Sequence, residues 1–274
     1  MKYVCVFFTV LVVLSASVDA MTLSGSWELV QAKESKAKLL KTGSIVTLSG
    51  DVIIRHDADE YRADLVLFYE KEQLVILKGN VVVTRNDSSV QADLCEYRGA
   101  QDIAVFTGNV HITQKNATIT GKRALIHTAS SDIEVTGDVF FTQNEYLGFS
   151  EYFYYNDTLQ TIFLDGIPYI VFDNNYAGGD NMMIFLNKTS DIERAEINLH
   201  ADLYWQKNDQ EVELKSELMI IYFAENNDPK YADLFRDVRV VMFEKEYIQT
   251  IQGATMRAEF SNKSVGTVIV TGNV

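Results

Sequence analysis

Cysteine and proline are scarce in this 274-residue chain, which holds two of each, and basic residues are outnumbered, with 24 Lys and Arg against 38 Asp and Glu. The resulting charge of -14 gives the electrostatic attraction that drives nucleic-acid binding the wrong sign, so nucleic acid is set aside as a partner. Cys5 lies in an apolar leader and leaves Cys95 as the single cysteine of the body, where neither an internal disulfide nor a cysteine metal cluster can form. Long hydrophobic runs are missing too. The apolar stretch at residues 4–14 is shorter than the ~20 residues that span a bilayer. What is present is an apolar fraction of 47%, which excludes wholesale disorder, a collagen-like repeat and a disulfide-stapled miniprotein.

Residues 1–20 combine Lys2, the apolar run and small residues at Val18 and Ala20, the pattern of a secretory signal cleaved after Ala20. An uncleaved inner-membrane anchor is the alternative. Cys5 stands too early, inside the apolar run, to be a lipoprotein attachment site.

Internal repetition is the strongest signal. Gly50-Asp51-Val52, Gly79-Asn80-Val81, Gly108-Asn109-Val110 and Gly137-Asp138-Val139 follow one another at 29 residues, and Gly166-Ile167-Pro168 falls one step further. Arg236-Asp237-Val238 reads as a degenerate copy, and Gly272-Asn273-Val274 ends the chain. Between the glycines, β-branched and aromatic runs alternate with Asn, Asp, Gly and Ser, which predicts strands and turns. Residues 27–40 are the one segment where a short helix competes with a capping strand. Glycine reaches positive φ cheaply and Asn or Asp closes local turns, so each Gly-Asx pair predicts a bulge or corner. No helix opens behind these glycines and no basic residue follows, which argues against a phosphate loop.

Alternation assigns the faces. Positions two and four beyond the glycines are Val52 and Ile54, Val81 and Val83, Val110 and Ile112, Val139 and Phe141, apolar throughout, and they are read as interior. The preceding strands add Ala63, Leu65, Leu67, Ala92 and Leu94 to that face. The aromatic run Phe149, Tyr152, Phe153, Tyr154 and Tyr155 predicts a strand buried on both sides, with a lipid-contacting rim as the alternative. Stacked two-strand units give an all-β, elongated array whose end strands have edges free to pair with another chain.

The glycine phrases, with an Ala-Asp strand before them at Arg62-Ala63-Asp64-Leu65 and Gln91-Ala92-Asp93-Leu94, resemble the OstA-like family behind a signal peptide. The resemblance is good over residues 44–173, weaker from 174, and resumes near 251–274. It implies a β-jellyroll folded like a taco, a cleft that holds lipopolysaccharide acyl chains, and a periplasmic place. It also implies head-to-tail assembly through edge strands, with inner- and outer-membrane transport components as partners. The candidate lipid-binding residues are Val52, Ile54, Leu65, Val81, Val83, Leu94, Val110, Ile112, Val139 and Phe141. A closed, dry core in a β-repeat scaffold is the competing reading of the same stripe. Residues 21–175 form the OstA-like repeats. Residues 176–274 either continue the sheet or form a second unit, with Ala177-Gly178-Gly179-Asp180 as the boundary.

Chemistry-bearing clusters are weak. His56, His111, His127 and His200 lack metal-ligand spacing. The acidic run His56-Asp57-Ala58-Asp59-Glu60 reads as a solvated turn rather than a cation site, residues 173–180 lack a calcium-loop pattern, and no nucleophile elbow occurs. Neither an enzyme nor a cofactor is expected. Five Asn-x-Ser/Thr sequons, at Asn86, Asn116, Asn156, Asn187 and Asn262, are read as turn chemistry.

Overall fold

The computed structural model describes residues 21–22, 26–40, 43–188, 191–207, 210–224, 228–244, 247–261 and 264–271. The leader, Asn262 and the terminal Gly272-Asn273-Val274 lie outside them. Among the described residues the chain is all-β, with twenty strands and a single 3-10 turn at Gly99–Gln101. Residues 27–40 take the strand alternative, as Trp27–Gln31 and Glu34–Leu40. No helix is long and apolar enough to cross a membrane among the described residues.

Two compact units divide the chain: Met1–Lys115 with Lys122–Ala129, and Asn116–Gly121 with Ser130–Val274. In the first, Gly43–His56 pairs with Trp27–Gln31 and Glu34–Leu40 on one side and with Asp59–Tyr69 on the other. Leu74–Arg85, Ser88–Arg98 and Ile103–Gln114 then add in order, all antiparallel. In the second, Tyr146–Asn156 pairs with Ile133–Gln143 and is then met by two short strands, Thr161–Asp165 and Tyr169–Phe172. The break between those two falls at Gly166-Ile167-Pro168, where proline has no N–H to continue a ladder. Asn175–Gly178 and Asn181–Leu186 carry the pairing on to Ile192–Lys207, and Gln210–Phe223, Pro229–Glu244, Tyr247–Ser261 and Ser264–Val270 complete it.

Among the described residues each Gly-Asx phrase is a corner with two consecutive residues at positive φ. Gly50, Gly79, Gly108, Gly137 and Gly166 lie at φ between 75° and 82°, and Asp51, Asn80, Asn109, Asp138 and Ile167 follow at 46° to 59°. Arg236-Asp237 has the same geometry, as expected of a degenerate copy, and so does Leu199-His200, which carries no glycine and was not recognisable in the sequence. The pairs at Gly50, Gly79, Gly137, Leu199 and Arg236 each make a two-against-one bulge. Lys78 pairs with Leu94 and Val81 with Ala92, so Gly79-Asn80 oppose the single residue Asp93.

The bulge corrects part of the face assignment. Strands that carry the Gly-Asx pair keep one parity through it, as Leu48, Val52 and Ile54 do, all 0% exposed. The strands opposite spend one residue where their neighbours spend two, and so their parity changes. In Asp59–Tyr69 the inward residues are Tyr61 and Ala63, then Val66 and Phe68. Leu65 and Leu67 therefore face the other side, half-buried, and Leu94 does likewise because Ala92 is followed inward by Cys95 and Tyr97. The aromatic run is a second correction. Only Phe153 is buried, while Phe149, Tyr152, Tyr154 and Tyr155 are half-buried, so that strand is not enclosed on both faces. Phe140, Phe149 and Tyr169 instead form an outer ladder, with ring centroids 4.9 and 4.8 Å apart.

Candidate functional site

Inward residues of successive strands converge on an apolar interior within each unit. In the first unit Val52, Ile54, Val81, Val110 and Ile112 are all buried there. Val83 is half-buried two residues beyond Val81. Val139 and Phe141 are buried in the second unit. Leu65 and Leu94 stand outside the group for the reason given above. The rule of two and four beyond the corner also holds where glycine is absent: Ala201 and Leu203 follow Leu199, Val238 and Val240 follow Arg236, and all four are buried. Cys95 is wholly buried in the first unit, and burial pushes its thiol up.

In the second unit an interior void beside Phe172, Ile184 and Trp205 holds about 30 Å³, the volume of roughly one water, and a more open groove of about 460 Å³ lies beside Tyr169, Tyr176, Asp180 and His200. The first unit has a cavity of about 470 Å³, within the ordinary range for small-ligand sites. Its wall is aromatic. Trp27 lies directly across the strand pair from His56, with ring centroids 4.4 Å apart. Tyr61, Phe68 and Tyr97 stand 5.0, 5.8 and 5.4 Å from Trp27, tilted or edge-on.

A polar network closes one side. Asp59, only 7% exposed, accepts from Arg85 through both carboxylate oxygens, Nη2 to Oδ2 at 2.8 Å, and from the Tyr61 hydroxyl at 3.3 Å. Burial first and then the Asp59 charge push the Tyr61 hydroxyl well above the usual phenol range, so it stays a donor. Tyr97 is raised by burial, then by Asp102 and Asp57. Glu60 accepts from Arg62 at 2.7 Å and Arg55 at 3.0 Å, which hold its carboxyl below the usual range. The acidic run at 56–60 thus becomes a turn with two of its carboxylates taken by arginines.

The histidines are dispersed. His56 lines the cavity with Nδ1 3.5 Å from Asp57, His111 is half-buried, and His127 is exposed. No group of three or more His, Cys, Asp and Glu among the described residues could hold a metal ion. His200, at its corner in the second unit, places Nδ1 3.0 Å from Asp180 Oδ1, and that hydrogen bond and charge raise its pKa. A raised folded pKa means that this contact stabilises fully below the unfolded value of about 6.5 and is lost as pH rises through the folded value. NMR titration of the His200 ring should give a midpoint above 6.5 that falls towards it in Asp180→Asn. A midpoint unmoved by that substitution would show that the pair does not form.

Sequence patterning located the buried stripe but not this cavity. Trp27, Tyr61 and Tyr97 are tens of residues apart, and only the strand order brings them together.

Two family models match the chain: residues 27–123 match the one described as OstA-like protein, and residues 89–190 match LptA/(LptD N-terminal domain) LPS transport protein. No curated protein matches. Among solved structures, LptH of Pseudomonas aeruginosa, described as the LptA-homologous periplasmic component of the lipopolysaccharide transport device, is 16% identical with a TM-score of 0.39. The match spans 44% of this chain and 95% of that one. The two family matches overlap and together run from residue 27 to residue 190, over the regular corners, and over that stretch the chain is an OstA-like protein.

Proposed function

We propose that the chain is a non-catalytic periplasmic carrier that shields the acyl chains of lipopolysaccharide or a related envelope glycolipid in its apolar interior, and that copies pair head to tail between inner- and outer-membrane components. The carrying observation is the inward rule at successive corners. It lines each unit with aliphatic and aromatic side chains and leaves Asp59, Ser150, Asn175 and Ser216 as the buried polar residues among those described. Such a lining suits a ligand whose binding is worth about 0.8 kcal/mol per buried methylene and needs no bond-making group.

A second reading, a scaffold with a dry core, draws on the complete burial of Leu48, Ile54 and Leu77. Photo-crosslinking separates the two. With a benzophenone side chain at Val83, Ile112 or Phe141, carrier function predicts adducts with envelope glycolipid in cells. Adducts confined to neighbouring strands at all three positions would leave only the scaffold.

A further inference from the structure

The cavity of the first unit is charged the wrong way for a phosphate. Asp57, Asp59, Glu70 and Asp102 all line it, and among the described lining residues the only guanidinium or ammonium is Arg85, which is engaged with Asp59. Ordinary core packing accounts for aromatic residues that touch one another, but here they border about 470 Å³ of open space. Their rings also face different ways: Trp27 makes angles of 54°, 81° and 76° with Tyr61, Phe68 and Tyr97. Ring faces are electron-rich and attract a cation lying within about 6 Å of the centroid, most of all one whose water is easily shed. An aromatic wall with a carboxylate rim therefore favours an alkylated ammonium over a metal ion, which would want oxygen ligands grouped closely.

We infer that this cavity binds an organic ammonium group carried on an apolar chain, the ammonium among Trp27, Tyr61 and Tyr97 beneath the carboxylate rim and the chain against Phe68 and Val75. The cavity volume exceeds what an ammonium head alone would fill, and Val75 and Phe68 pair across adjacent strands to give the rest of it an apolar floor. This site is independent of the glycolipid reading, because it selects on head-group charge and lies in one unit.

Trp27 supplies the readout. The chain has two tryptophans, so Trp205→Phe leaves Trp27 as the single one. In that background, the whole protein is titrated below micelle formation with dodecyltrimethylammonium, dodecyl sulfate and dodecyl maltoside while Trp27 emission is followed. The ammonium should produce a saturable change and the other two none. Glu70→Gln with Asp102→Asn should weaken it about tenfold, the loss of rim attraction, with circular dichroism unchanged. Asparagine suits position 102 because that residue sits at φ 52°, a region Asn tolerates. Equal responses to sulfate or maltoside, or an unchanged affinity in the double variant, would overturn the inference. Acyl capture blind to head-group charge, with glycolipid adducts in the crosslinking experiment, would sink this site and leave the carrier reading standing. Ammonium capture without such adducts would do the reverse.

Discussion

Gly108→Val is expected to destabilise the first unit by about 2–5 kcal/mol, and Asp93→Ala in the same chain is expected to return part of that loss. Two costs add at this position. Gly108 sits at φ 79°, where any residue with a Cβ is strained by roughly 1–2 kcal/mol, and a β-branched one is strained further. A Cβ built there overlaps the Asp93 carboxylate and lies 2.9 Å from its Cγ, a crowding that costs about 1–3 kcal/mol when neighbours must move. Asp93→Ala relieves the second cost and leaves the first. Alone, Asp93→Ala removes the bond that Asn109 Nδ2 donates to Asp93 Oδ2 at 3.0 Å, worth about 1 kcal/mol on an exposed site. Urea unfolding of the four proteins in the cycle should therefore show non-additivity of about 1–2 kcal/mol. Strict additivity would mean that the aspartate and the glycine do not share a corner.

That cycle also tests why Ala-Asp precedes the glycine phrases at Gly79 and Gly108. Asn80 donates to Asp64 at 2.9 Å as Asn109 does to Asp93, and a Cβ at Gly79 would meet the Asp64 carboxylate. The aspartate of one strand therefore roofs the glycine of the next. Sequence spacing displays both residues but not the contact, because the pairing that joins them is 15 residues long and could have been drawn in several registers.

Local chemistry was legible, and relations between strands were not. The corners at Gly50, Gly79, Gly108 and Gly137 could be read because glycine and Asn or Asp announce positive φ within two residues. Leu199-His200 bends the same way with neither, held by the pairings that flank it at Asn198 and Ala201, and so gave no signal. Val52, Ile54, Val81 and Val110 were placed inward correctly, since the parity of a glycine-bearing strand continues through its own bulge. Leu65 and Leu94 were misplaced because parity in their strands is set by bulges in the neighbours, which a single strand's pattern does not contain. The aromatic wall of Trp27, His56, Tyr61 and Tyr97 was invisible for the same reason. The acidity that sets nucleic acid aside was legible, and the structure gives part of it a place in the carboxylates around that wall.

Phe106→Ala is the second large effect expected, and it bears on how a closed interior could carry a lipid. Phe106 is 1% exposed and among the largest fully buried side chains of the first unit. Truncating it should cost about 3–5 kcal/mol, the transfer free energy of the ring plus the void left behind. Carriage requires an acyl chain to take the place of such contacts, so in the carrier reading stability and lipid capture oppose each other at this position. Phe106→Ala should then unfold at lower urea than the parent and yet bind a fatty acyl chain more tightly, because the room has already been made. Each methylene that fills the void returns about 0.8 kcal/mol, so saturating lipid should raise the variant's unfolding midpoint more than the parent's. A variant destabilised to the expected extent but indifferent to lipid would mark the interior as a dry core, and would confine any ligand to the cavity beside Trp27.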